Sequence, residues 1–239
     1  METIDTPERA MLVIPHPDDG ESGPGGSVAK WSRDGSHVLY VICTNGDKGT
    51  SDPEMTSERL AAIREEEQLK AAATAGAEDV VFLRYGDGEL EDTREFRGLL
   101  VEQIRRWKPD VVLATDPVRN EGHGHRDHRV SGRVAMDACF PYARDRLHYP
   151  EHFVWGLEPH KVGSVLLWGS ERPDVVVDIA DSIETKMQAL AAHESQLSSD
   201  MARIEGFVKR RAEAAAERAA EDGYDFTYAE LFRRINFRR

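Results

Sequence analysis

Cysteine is scarce: the 239 residues hold two, Cys43 and Cys139. They lack the spacing of a thiolate zinc site, and two buried thiols are expected ahead of a disulfide between them. Long hydrophobic runs are missing too. The first apolar stretch, Ala10 to Ile14, is far too short for a signal-peptide core or a membrane span, so the cytoplasm is the expected location. Positive charge is in deficit. Lys and Arg number 31 against 44 Asp and Glu, a net charge of −13 that repels nucleic acid and anionic membranes. No GxGxxG follows an apolar run, which removes the dinucleotide-binding reading. There is no internal repeat and no linker rich in Ser, Pro or Gly. One domain over 1–239 is expected, long enough to bury a full core.

What is present is an alternation of apolar runs and helical segments. Ala10 to Ile14, His37 to Cys43, Val80 to Leu83 and Asp110 to Ala114 read as buried strands. Val162 to Trp168 and Val175 to Ile179 are two more. Helices are expected over Ser27–Asp34, Met55–Ala75, Thr93–Trp107, Arg126–Cys139, Asp181–His193 and Met201–Ala220. This order implies an α/β, Rossmann-like three-layer sandwich: a mostly parallel sheet with helices on both faces. In such sheets ligands bind beyond the carboxyl ends of the strands, so the loops after Ile14, Cys43, Leu83 and Ala114 are the place to search.

The first of those loops reads Pro15-His16-Pro17-Asp18-Asp19-Gly20-Glu21. His16 and Asp19 offer a nitrogen and an oxygen ligand from one turn, and the two prolines restrict it beforehand. The fourth loop contains His123-Gly124-His125-Arg126-Asp127-His128, and His125 and His128, three apart, share one helix face. Two imidazoles and a carboxylate, with a place left for water, are a known set for catalytic zinc, which lowers the pKa of its water to about 7 and polarises carbonyls. Asp18, beside Asp19, then suits a general base. The histidine of the 125/128 pair that is not a ligand suits the group that meets an oxyanion and protonates a leaving nitrogen. The bland alternative is a pair of Asp-capped turns with exposed histidines. Both loops fall at the same end of the expected sheet, which favours the metal site.

These motifs resemble the LmbE-like, or PIG-L, N-acetylglucosaminyl deacetylases. The likeness runs through His16-Pro17-Asp18-Asp19-Gly20-Glu21 with Gly25-Gly26, Thr44 to Gly49, Arg64 to Glu67, Asp87-Gly88, His125-Arg126-Asp127-His128 and His193-Glu194-Ser195-Gln196. The resemblance implies a zinc-dependent N-deacetylase of small N-acylated sugars; ferrous iron suits the same ligands. It implies His16, Asp19 and His128 as metal ligands, Asp18 as base and His125 as oxyanion stabiliser and acid. It also implies that Asp127 and Arg64 orient His125. The family usually carries proline where this chain has Arg126.

Thr44, Asn45, Gly46 and Asp87 follow strand ends and are expected to line the pocket, although Asn-Gly is also a common turn pair. His193 ends a helix and fits a capping, packing or pocket role equally. His123 competes weakly with His125 as a ligand, because i,i+5 is a poor spacing to His128 on a helix. The aromatic segment 142–161 is either a lid or a contact between copies in a homo-oligomer. Two rivals stand beside the deacetylase: an amidase of thiol conjugates with the same chemistry, and a sugar-binding protein without turnover.

Overall fold

The computed structural model describes residues 1–118, 124–197 and 201–237. Eight strands form one sheet: β1 (Glu2–Thr3), β2 (Arg9–Ile14), β3 (His37–Thr44), β4 (Asp79–Tyr85), β5 (Val111–Thr115), β6 (Ser164–Trp168), β7 (Val175–Asp178) and β8 (Ala229–Asn236). Their spatial order is β1-β7-β8-β6-β5-β2-β3-β4. All pairings are parallel except those of β8, which runs antiparallel to both β6 and β7.

β2 and β3 are apolar on both faces because helices cover both. Ala10 through Ile14 and Val38 through Cys43 are buried throughout. α1 (Asp19–Ser22), α2 (Gly25–Arg33), α3 (Ser57–Ala75) and α6 (Ile183–Ala191) pack together as one layer, and α4 (Arg94–Trp107) and α5 (Arg126–Asp137) pack together against β2 and β5 as another. The three-layer α/β sandwich expected from the sequence is therefore present. Thr56 and Thr93 cap α3 and α4 by accepting from the N–H groups of Arg59 and Phe96. α7 (Met201–Ala220) lies on β8. Among the described residues, no helix is long and apolar enough to cross a membrane.

Chain order reverses beside β2. The path β2, β3, β4 moves outward on one side, and β5 then returns to pair with β2 on the other. That is a topological switch point, and the crevice beyond the carboxyl ends of β2 and β5 is where such sheets bind ligands. The turn carrying His16 to Asp19 and the start of α5 flank it.

Three elements differ from the expectation. The short edge strand β1 and the antiparallel β8 were not foreseen. The helix expected to reach Cys139 ends at Asp137, and the chain kinks at Phe140, whose backbone is extended (φ −149°, ψ 122°). Pro141 follows, and a proline biases the residue before it away from the helical region. The 142–161 segment wraps a buried guanidinium: Arg105 donates to the carbonyls of Tyr142, Ala143, Asp145, His148 and Tyr149. Leu147, Val154 and Trp155 of this segment face outward.

Gly132 sets how closely α5 approaches β5. A Cβ there would lie 2.1 Å from the Thr115 carbonyl oxygen, a backbone atom that cannot swing aside. Gly132→Ala is expected to destabilise the fold by about 1–3 kcal/mol, the range for overpacking. Chemical denaturation measures this, and a change within about 0.5 kcal/mol, as for a neutral surface substitution, would contradict the packing argument.

Candidate metal centre and active site

The turn after β2 is built around an unusual backbone. Asp18 has φ 95°, in the left-handed region where aspartate is tolerated better than most residues but still at a cost of about 1–3 kcal/mol. Arg64, buried on α3, holds the turn. Its Nη2 donates to the Pro17 carbonyl and, at 3.0 Å, to Asp18 Oδ2, while Nη1 donates to the Gly46 carbonyl at 2.9 Å. The Asp18 N–H donates to Gln68 Oε1 at 3.1 Å. Gly46 is itself required, because a Cβ there would lie 2.4 Å from the Arg64 guanidinium.

The turn brings His16 and Asp19 together. Asp19 Oδ2 accepts the His16 backbone N–H at 3.0 Å and lies 3.1 Å from His16 Nδ1. His128, on the first turn of α5, places Nε2 3.2 Å from the same oxygen. Thr115 Oγ1 ties that turn to the end of β5 by donating to the His128 carbonyl at 2.8 Å. One nitrogen of each ring and Asp19 Oδ2 thus lie within 4.8 Å of one another and could hold a metal ion.

The second nitrogen of His16 supplies a test of that fit. Nε2 lies 3.2 Å from Asp127 Oδ2 and 3.1 Å from Asp87 Oδ1. Asp127 is fully buried and also accepts the N–H groups of Gly88 and Leu90. With an ion bound, carboxylates so placed would keep the ring proton on Nε2 and leave the Nδ1 lone pair turned toward Asp19 and His128. Metal-binding histidines are typically prepared this way. The donors fit the ion. A second group that could hold a metal, His16, Asp87, His125 and Asp127, shares His16 with the first. Both oxygens of its Asp127 already accept backbone N–H groups, so we read it as the support of the first.

Charge in the site matches a cation. Burial alone would push His16 down, but its hydrogen bonds to Asp127, Asp19 and Asp87 outweigh that and raise its pKa to about 11. Burial would likewise raise Asp19, yet His128 and His16 hold it far below the usual carboxylate range. Asp18 is pushed up to about 7, first by burial and then by the charge on Asp19, against the pull of Arg64 and His193. Its side chain remains 27% exposed, so water can reach it.

His125 caps α5. Its Nδ1 accepts the Asp127 N–H at 3.3 Å, which assigns the proton to Nε2. The ring is 46% exposed, packs edge-on to His16 at 4.6 Å between centroids, and sets Nε2 3.7 Å from Asp87 Oδ1.

Several expectations need correction. The Asp127 carboxylate lies closer to His16 than to His125, 3.2 Å from His16 Nε2 against 4.0 Å from His125 Nδ1, while its backbone N–H reaches His125 Nδ1. Arg64 holds Asp18. Thr44 is fully buried and braces the turn by donating from Oγ1 to the Pro15 carbonyl, so it lines no pocket. Gly46 is buried as the seat of Arg64, whereas Asn45 is partly exposed and Asp87 faces His16 and His125. Asn120 to His123 lie outside the described residues. Gln68 and Glu67 were not assigned. Their signal was available: Leu60, Arg64, Glu67, Gln68 and Ala71 form the buried stripe of α3, so polar residues sit at core spacing.

Fold and cluster together define the class: a doubly wound α/β protein with a His/Asp donor set suited to a metal ion at its switch crevice. Residues 11–139 match the PIG-L family, described as GlcNAc-PI de-N-acetylase, and the chain belongs to that family. It is 34% identical over 194 residues to the diacetylchitobiose deacetylase of Thermococcus kodakarensis, covering 81% of this chain and 72% of that protein. The N,N'-diacetylchitobiose deacetylase of Pyrococcus horikoshii superposes with a TM-score of 0.88 at 31% identity, over 96% of this chain and 84% of that one. GalB, a 4-carboxy-2-hydroxymuconate hydratase of Pseudomonas putida KT2440, matches with a TM-score of 0.83 at 22% identity, over 97% and 98% of the chains. That likeness concerns the fold alone.

Proposed function

We propose that this chain is a zinc-dependent N-deacetylase that releases acetate and a free amine from a small N-acetylglucosamine-like glycoside. The observation that carries the reading is the meeting of His16 Nδ1 and His128 Nε2 at Asp19 Oδ2, with Asp18 one residue away. His16, Asp19 and His128 would hold the ion. Bound zinc supplies Lewis acidity toward an amide carbonyl and brings water into a titratable range near pH 7. The chain's own residues supply the rest. Arg64 fixes Asp18 Oδ2, and Asp18 takes the proton that water loses on attacking the amide carbon. His125 presents Nε2–H to the carbonyl oxygen as it gains charge, and Asp18 hands the proton it took from water to the departing nitrogen. Asn45 and Asp87 are the partly exposed polar groups best placed to meet sugar hydroxyls.

The test is metal analysis of the purified protein, then free-amine release from a panel of N-acetylated glycosides and N-acylated thiol conjugates. Amine is expected from the N-acetylglucosaminides and not from the thiol conjugates. A metal-loaded protein that releases amine from none of them overturns the assignment.

A further inference from the structure

One sequence motif has no part in the chemistry above. His193-Glu194-Ser195-Gln196 follows α6 and reaches three separate places around the Asp18 turn. His193 Nε2 lies 3.1 Å from Glu21 Oε2, two residues beyond Asp19. Ser195 donates from its backbone N and its Oγ to the two carboxylate oxygens of Glu67, each at 2.7 Å. Gln196 Nε2 donates at 3.1 Å to the carbonyl of Gly49, on the same loop as the Gly46 that seats Arg64.

The His193 arm continues inward as a single file of hydrogen bonds. Glu21 Oε1 accepts from Gln68 Nε2 at 3.0 Å, and Gln68 Oε1 accepts the Asp18 N–H at 3.1 Å. His193, Glu21 and Gln68 have no exposed surface. The chemistry of each link fixes the next. A primary amide has two nearly isosteric faces, and only its oxygen can accept the Asp18 N–H. Glu21 decides which face turns inward, because a carboxylate accepts and so selects the amide NH2. The His193 Nε2–H satisfies the other oxygen of that buried carboxylate, which would otherwise be costly to keep in place.

We infer that His193 is a positioning residue for the reaction: through Glu21 and Gln68 it holds the backbone of Asp18 in its left-handed conformation and so aims the carboxyl group. The inference rests on the reading of Asp18 as base. Asp18 needs such a hold, since φ 95° is a conformation the surroundings must impose. Arg64 grips the side chain and the preceding carbonyl, and Gln68 is the partner of the backbone N–H.

The experiment compares His193→Leu, His193→Gln, Gln68→Met and Asp18→Asn with wild type on whichever N-acetyl glycoside the wild type cleaves. kcat, KM, bound metal and Tm are measured for each. His193→Leu fills the space without a donor and is expected to lower kcat by on the order of 10- to 100-fold, the scale of a misplacement of about 1 Å. KM and metal content should stay within about 2-fold, because neither the donor set nor the exposed pocket is touched. Glutamine can place an N–H where His193 Nε2 stands, so His193→Gln should recover kcat to within about 3-fold of wild type; a purely space-filling role would not favour glutamine over leucine. Gln68→Met should reproduce the kcat loss, and it carries the test if His193→Leu does not fold. The double variant Asp18→Asn/His193→Leu should be no slower than Asp18→Asn, because both act through one group. A His193→Leu enzyme with wild-type kcat, or a His193→Gln enzyme no better than His193→Leu, overturns the inference. An active Asp18→Asn enzyme overturns the underlying assignment instead, so the two failures are distinguishable.

Discussion

Asp18→Asn is expected to lower kcat for deacetylation by at least about 100-fold while leaving bound metal unchanged, which places the loss on the scale of general acid–base catalysis. Asparagine keeps the shape of the side chain and tolerates positive φ as well as aspartate does, so the turn at φ 95° survives. Its backbone N–H still reaches Gln68, and its side-chain oxygen can still accept from Arg64. Asp18 contributes no atom to the His16, Asp19 and His128 group, so metal affinity has no reason to fall. What disappears is a carboxylate that takes up a proton near neutrality, pushed there by burial and by the neighbouring charge of Asp19. Metal content and kcat measured on one preparation decide the matter. An Asp18→Asn protein with full metal and more than about a tenth of wild-type kcat would transfer the base to another group.

The frame of this fold was legible because parallel strands covered on both faces are continuously apolar. Arg9–Ile14, His37–Thr44 and Val111–Thr115 were anticipated to within a residue or two. β8 was not, and its side chains show why. Glu230 lies inside the protein, where its carboxylate accepts from the N–H groups of Gly26 and Ser27 at the start of α2 and pairs with buried Lys186. A strand that carries a buried anion for a helix terminus does not read as apolar. The His/Asp cluster was visible because local spacing places His16 beside Asp19 and His128 on the first turn of α5. Asp127 and Arg64 were expected to orient His125; the Asp127 carboxylate faces His16 and Arg64 grips Asp18. Residue spacing places Asp127 two positions from His125, yet the tertiary fold brings His16 to its other side at hydrogen-bond distance. Thr44 was misread for a similar reason. A strand-end hydroxyl looks available until the neighbouring turn supplies a carbonyl to accept it.

His128→Ala is expected to abolish both metal retention and deacetylation while leaving the apo protein folded. Of the three ligands His128 is the cleanest to remove. His16 is buried among Asp19, Asp87 and Asp127, and Asp19 anchors the His16 backbone, so changing either disturbs the turn itself. Among the described residues the His128 ring pairs with Asp19 alone among charged partners, and it is partly exposed, so alanine there leaves no buried group stranded. Loss of a group that merely orients a ligand costs roughly 10–100-fold in metal affinity, and loss of a ligand should exceed that. Asp127→Asn therefore serves as the graded comparison: it should weaken binding within that range by loosening the hold on His16 Nε2, and added zinc should restore activity to it but not to His128→Ala. A chelator should likewise silence the wild type and lower its Tm, because an ion that binds only the folded state stabilises it by about 2.7 kcal/mol at 100 times its Kd. Restoring the stripped enzyme with zinc or with ferrous iron then identifies the metal that supports turnover. If His128→Ala keeps stoichiometric metal and wild-type kcat, the ion sits elsewhere, and the paired imidazoles around Asp19 would serve only to hold the turn.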